Sequence, residues 1–401
     1  MCVLWCAWLS CLLAIGAAVV RSWGLRNYIL SVDFRALYTA AAMMAGGVTS
    51  SFYELATQFS WQHALAPEVT GLSQLMPFPY PPFAAALLVP LGKLGWLGAY
   101  SVWGLSQVLL VAAMARCLGV MLLPERRGFW ASVLVIAYAP VWVTVLQGQW
   151  SFLLTICLIA GWSNLARGRE FRAGLWLAGL SFRPHLVLLP GLLFLWRGRW
   201  RAVAGLMAGL LLLASLSLLL VGWRGVLGYL DLLRAAASWK DAFTMHPQKM
   251  YTLRGLLQAA AGTDDLAPVL PYLIALEAAV VGSLLWLWRP RGPESEGNLD
   301  LRWAGFVAAL LLTSPHANYH DLTLLLVPVA LCIRTAARGK MPPFILVPLP
   351  LIYISALMPT VVVAGVPVQT PVVAAIILLA LVFAYHKRAL GFADPSRLED
   401  S

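Results

Sequence analysis

Long apolar runs, broken by short polar stretches, recur from one end of this chain to the other. The pattern predicts spans near 3–20, 80–93, 96–122, 130–146, 150–166, 173–196, 200–222, 268–288, 302–314, 319–337, 342–358 and 370–386, about twelve in all. Many approach the ~20 residues that cross a hydrocarbon core as a helix. Two do not fit a plain crossing. Residues 80–93 are too short, and 173–196 reads either as one helix or as a hairpin of two half-helices meeting at Arg183-Pro184. Short or broken pieces survive at membrane depth only where protein or a water-filled cavity encloses them, so both places are candidates for a site.

Two longer polar segments, about 21–79 and 223–267, interrupt the runs. Their aromatic residues, interleaved with polar ones, predict short amphipathic helices lying at the interface. The expected fold class is all-α: one polytopic helical membrane domain over 1–390, with those two segments as external loops. A short polar tail follows at 391–401.

Composition agrees with the pattern. Hydrophobic residues make up 61% of the 401, charged residues only 11%, and mean hydropathy is +0.80. A soluble domain carries roughly 25% charged residues, so this chain lacks the charge to cover a water-facing surface. Its net charge of +11 sits in short clusters between apolar runs, such as Arg167-Gly-Arg169 and Arg197-Gly-Arg199. That distribution marks cytoplasmic loops and speaks against a nucleic-acid partner. The six cysteines are scattered through apolar segments without metal-ligand spacing, which predicts neither a disulfide framework nor a zinc site. No tight pairing of carboxylates suggests a divalent cation, so no metal and no cofactor are expected.

If the basic clusters are cytoplasmic, the remaining polar residues collect on the other side. They are Asp33; Tyr80 in PYPPF; Gln147 and Gln149 around Gly148; Arg183 and His185 around Pro184; and His316, His320 and Asp321 in SPHANYHD. Ionisable groups near membrane depth are costly and mark function by default. A carboxylate can take a proton from an attacking alcohol, and arginine and histidine can stabilise a departing phosphate. Together they point to group transfer from a phosphorylated lipid to a hydroxyl acceptor. No phosphate-cradling glycine-rich motif is present. Each residue also has a structural reading. Asp33 could cap the helix that follows it, His320 and Asp321 could pair between helices, and Arg183 and His185 could satisfy carbonyls at the proline break. Gln147 and Gln149 could be ordinary loop residues, and Tyr80 could be architectural. A transporter or flippase of a lipid-linked sugar is the alternative function, since it too needs broken helices and polar residues within the membrane.

DFRALYTAA, PYPPFAAALLVPL, GQWSFLLTICLIA, AGLSFRPHLVLLP and SPHANYHDLTLLLVP occur in this order over about residues 30–335. The series resembles glycosyltransferase family 87, the polyprenol-phosphate-mannose-dependent α-mannosyltransferase-like proteins of the GT-C superfamily. The resemblance implies an inverting transfer of a sugar, mannose first among candidates, from a polyprenyl-phosphate donor to a glycolipid or glycan acceptor. It implies a multi-pass protein of the plasma membrane with its site on the extracytoplasmic face. The family's general base falls on Asp33, and its basic residue before proline falls on Arg183, with His185 beside it. A histidine near the donor phosphate aligns with His320. Asp321 stands where relatives have a second histidine and His316 is additional, so the phosphate role is open to His320, His316 or both. Tyr80, Gln147, Gln149 and Asp321 are expected to contact substrate.

Overall fold

The computed structural model describes residues 2–122, 127–237, 243, 246–290, 296–338 and 346–391. The expected polar tail therefore lies outside the described residues except for Gly391. The described chain is mostly helical. It begins with α1 (Cys2–Trp23), α2 (Leu25–Ser31), α3 (Phe34–Ala45), α4 (Leu55–Leu65) and a short α5 (Pro82–Ala86). Then come α6 (Trp96–Met121), α7 (Arg127–Ile136), α8 (Ala139–Gln147), α9 (Ser151–Ala166), α10 (Glu170–Ala178) and α11 (Leu188–Trp196). After these run α12 (Trp200–Ala237), α13 (Leu253–Ala261), α14 (Leu270–Leu287), α15 (Glu296–Leu312), α16 (Leu326–Ala337) and α17 (Pro348–Leu357). Strands β1 (Thr360–Val363) and β2 (Val366–Gln369) and helix α18 (Thr370–Gly391) close the chain. Most of the buried apolar side chains, from Trp8 to Val382, form one contiguous cluster.

Among the described residues, four helical stretches are long and apolar enough to cross a membrane: Trp96–Met121, Trp200–Ala236, Leu270–Leu287 and Tyr319–Ala337. Helices α7 and α8, bent by 70° at their junction, make a fifth if they count as one broken span. Other expected spans appear as shorter apolar helices, among them Ser151–Ala166, Pro184–Trp196, Pro348–Leu357 and Thr370–His386. Residues 80–93 are not one helix: α5 is followed by a 3-10 turn, Val89–Lys93. Pro81, Pro82 and Pro90 each remove a backbone donor there.

Residues 170–196 adopt the hairpin arrangement. Gly161 faces Leu177 and Gly179 faces Cys157, so α9 and α10 are antiparallel. Gly205 faces Phe171 and Gly209 faces Ala178, so α10 and α12 run the same way, and α11 must return between them. A β-carbon on Gly174 would come within 2.0 Å of the Ala202 oxygen, and one on Gly205 within 1.9 Å of the Phe171 oxygen. Small residues thus let the two backbones touch, as in other membrane helix pairs. With 9 residues each, α10 and α11 are ~14 Å long. The turn between them, Phe182-Arg183-Pro184-His185, is flanked by 3-10 segments Gly179–Phe182 and Pro184–Val187.

The two polar segments are helical in short pieces. The first holds α2, α3, α4 and a 3-10 turn at Leu72–Gln74. The second begins where Gly222, at φ 68°, breaks α12 into a membrane-length part and a following part that carries Arg224, Asp231 and Arg234. The all-α expectation needs one correction. Residues 360–369, read as a connection between spans, pair as antiparallel strands with Thr360 opposite Gln369 and Val363 opposite Val366. The run is valine-rich, and Ala364 and Gly365 take φ of 51° and 84°, as two-residue hairpin turns require.

Candidate active site

Asp33 directly precedes α3, yet its side chain caps no backbone N–H of that helix. Gln149 Nε2 instead donates to Asp33 Oδ2 at 2.5 Å, and the Tyr80 hydroxyl donates to Gln149 Oε1 at 2.7 Å. Gln149 is presented by the sharp turn between α8 and α9. Gly148 makes that turn at φ 72°, and Trp103 Nε1 donates to its carbonyl at 2.8 Å. A β-carbon there would sit 2.7 Å from the Trp103 ring nitrogen, so glycine is needed for both its conformation and its size. Tyr80 is fixed in turn by Tyr53, whose hydroxyl donates to the Tyr80 carbonyl at 2.6 Å.

The proline break carries the second group. Arg183 Nη1 donates to Asp321 Oδ2 at 2.6 Å and Nη2 bonds His320 Nε2 at 2.8 Å. A guanidinium only donates, so His320 Nε2 accepts and the ring proton lies on Nδ1, where it reaches Gln147 Oε1 at 3.1 Å. Asp321 also accepts from Ser151 Oγ at 3.0 Å and from the Asn318 backbone N–H at 2.8 Å. Arg183, His320 and Asp321 are all buried. A buried ion pair is held best when hydrogen bonds satisfy its remaining valences; here all but Arg183 Nε, buried without a partner among the described residues, are met.

A third group surrounds Ser314. Its hydroxyl donates to the His316 carbonyl at 2.8 Å, so at 2.9 Å it accepts from His185 Nε2. His185 therefore spends its proton on Ser314. His316 does not: Asn318 Nδ2, a donor, faces its Nε2 at 3.4 Å, which leaves the proton on Nδ1. That nitrogen is buried without a partner among the described residues. Burial first, and the Arg183 charge second, push the His316 pKa down to about 3. The ring is a neutral donor at physiological pH.

These groups meet in one cavity of about 320 Å³, lined by Asp33, Tyr80, Gln149, Arg183, His185 and His316 together with Met76, Phe182, Leu233, Arg254 and Asn318. The structure thus brings together six of the nine residues singled out in the sequence. Gln147, His320 and Asp321 do not line the cavity; they stand behind Arg183 and hold it. Arg254 and Asn318 were not foreseen. Arg254 is one of several basic residues in the second polar segment, with no local feature to separate it from the others. Among the described residues, no group of three or more His, Cys, Asp or Glu side chains is placed to hold a metal ion.

The helices that leave this cavity carry arginines at their far ends. Helix α9 leads from the turn at Gln149 towards Arg167, α11 from the 3-10 segment holding His185 towards Arg197, and α16 from the 3-10 segment Tyr319–Leu325 through Arg334. At that far end Arg334 Nε pairs with Asp300 Oδ2 at 3.1 Å, and Trp162 Nε1 donates to Asp300 Oδ1 at 3.0 Å.

Comparison with family models matches residues 78–315, more than half of the chain, to Glycosyltransferase family 87. No curated protein and no solved structure matches it.

Proposed function

The chain belongs to glycosyltransferase family 87 and is a membrane glycosyltransferase; from that premise we propose that it moves a sugar, mannose first among candidates, from a polyprenyl-phosphate donor to a hydroxyl of a glycolipid or glycan. The observation that carries this reading is the cavity whose lining sets one carboxylate, Asp33, together with Arg183 and His316. Asp33, steadied through Oδ2 by Gln149, takes the acceptor's hydroxyl proton as that oxygen attacks C1 of the sugar. The C1–O bond to phosphate breaks on the opposite side, and its electron pair leaves with the polyprenyl phosphate, so configuration inverts. His316 offers its unspent Nδ1–H to the phosphate, with Arg183 beside it. His185 keeps its proton on Ser314 and shapes the wall. His320, Gln147 and Asp321 act as positioning residues for Arg183.

The reaction needs no metal in this scheme, because protein donors meet the phosphate. The bundle is read as a GT-C-type domain over 1–390 in the plasma membrane, with up to about twelve crossings once the shorter apolar helices are included. Its cavity opens on the extracytoplasmic side, and the lipid donor reaches it from the bilayer. Family membership favours bond transfer over carriage of a lipid-linked sugar.

Loss of a general base costs typically 10²–10⁴ in rate. Asp33→Asn should therefore abolish transfer of radiolabelled sugar from a polyprenyl-phosphate donor while the protein keeps its wild-type melting temperature. The wild type should retain its rate in a chelator. Substantial turnover by the variant would remove Asp33 from this role.

A further inference from the structure

We propose that Arg254, delivered by the second polar segment, is the cation that receives the charge arising on the departing phosphate. The inference rests on the donor assignment above and adds a residue to it. Among the described residues, three charged side chains line the cavity: Asp33, Arg183 and Arg254. Arg183 is not available as a net charge, since Asp321 neutralises it at 2.6 Å and His320 occupies its second amino group. Arg254 has no carboxylate partner among the described residues. Its Nε donates to the neutral Gln258 Oε1 at 2.9 Å, and no bond is made by its two Nη groups among those residues. Burial lowers its pKa and nothing nearby offsets that. A partly desolvated guanidinium beside a cavity, with no carboxylate partner among the described residues, is a strong anion site.

Its position is set by contacts to the same wall that carries His316. The backbone N–H of Tyr251 donates to the Ala317 carbonyl at 2.8 Å, and the Tyr251 and Tyr319 rings stand 5.8 Å apart. Thr252 caps α13, its hydroxyl accepting from the Gly255 N–H at 3.2 Å. The β-hairpin completes the support, because Gln369 Nε2 donates to the Gln248 carbonyl at 2.6 Å.

The charge balance explains the need. Before transfer, the cavity holds ionised Asp33, Arg254 and a donor phosphodiester with one negative charge. As the acceptor proton passes to Asp33, the C1–O bond breaks and the phosphate becomes a monoester with two. Negative charge has moved from Asp33 to the leaving group. A cation lining the same cavity can meet that charge as it arises, which is the condition for stabilising the transition state more than the ground state.

The test measures binding of a short-chain polyprenyl phosphate, and of the matching uncharged polyprenol, to the full chain in nanodiscs. Arg254→Gln should weaken the phosphate about tenfold or more and leave polyprenol unchanged, and Arg254→Lys should recover part of the loss. Equal phosphate affinity in Arg254→Gln would overturn the assignment. So would a parallel loss of both probes, which would mark a structural role. Turnover of Asp33→Asn separates the two readings. If that variant is inactive while Arg254→Gln binds phosphate normally, the Arg254 role falls alone. If it is active, the base assignment falls instead.

Discussion

A carboxylate serves as a base only if it is held at the correct angle to the acceptor, and in this protein neutral side chains do the holding. Gln149 and Tyr80 were expected among the substrate contacts, but their hydrogen bonds run to each other and to Asp33. Both also line the cavity, so their effect on rate and on binding can be separated. Tyr80→Phe removes the donor that orients the Gln149 amide while keeping the ring against Trp150. It should lower kcat about tenfold, in keeping with misplacement of a reacting group, with little change in the KM for the donor. Gln149→Leu should lower kcat further, because Asp33 then loses its own partner. A rise in KM at constant kcat would instead return both residues to substrate binding. The same hydrogen-bond logic underlies the roles proposed for the histidines. His185 and His320 direct their ring protons to the protein, whereas His316 Nδ1 has no partner among the described residues.

At the scale of elements, the ion pair between Arg183 and Asp321 ties the α10–α11 turn to the 3-10 segment Tyr319–Leu325. Asp321→Leu would leave a buried guanidinium without its counter-charge, a loss of about 3–5 kcal/mol. Arg183→Leu combined with Asp321→Leu should be less destabilised than the Asp321→Leu single variant, by thermal unfolding in detergent, and remain inactive. Additive losses would show that the two side chains do not act as a pair. That tie was only partly legible beforehand. The long helices α6, α12 and α14 were visible because uninterrupted apolar runs leave helix as the way to satisfy the backbone in lipid. The break at Pro184 was visible too, since proline announces it locally. What joins the pieces was not, because a hydrogen bond such as that from Gln149 to Asp33 links residues 116 positions apart. Local pattern carries no record of such a contact. The β-hairpin escaped for a different reason: residues 360–369 read as a short connection between apolar runs, and Ala-Gly is a weak turn signal. Arg254 could not be chosen from its own surroundings, because its importance comes from the Asp321 partner that occupies Arg183 and not Arg254.

The whole molecule is polarised along the direction of its helices. Turns at the cavity end carry Asp33, Gln149, Arg183 and His316, whereas turns at the other end carry Arg167, Arg169, Arg197, Arg199, Arg334 and Arg338. Basic residues in short loops are retained in the cytoplasm, and on that rule we propose that the cavity faces outward. An outward cavity has a chemical consequence. On that proposal the site would draw on a donor already carried across the bilayer on a lipid, in keeping with the polyprenyl phosphate proposed above. The orientation can be tested without any activity assay. In a variant whose native cysteines are replaced by alanine, Glu54→Cys lies in the first polar segment and Arg169→Cys in the α9–α10 turn, and both positions are exposed. A membrane-impermeant maleimide applied to intact cells should label the first at once and the second only after permeabilisation. The reverse pattern would place the cavity in the cytoplasm, where a soluble nucleotide sugar could serve, and the case for a polyprenyl-phosphate donor would lose its topological support.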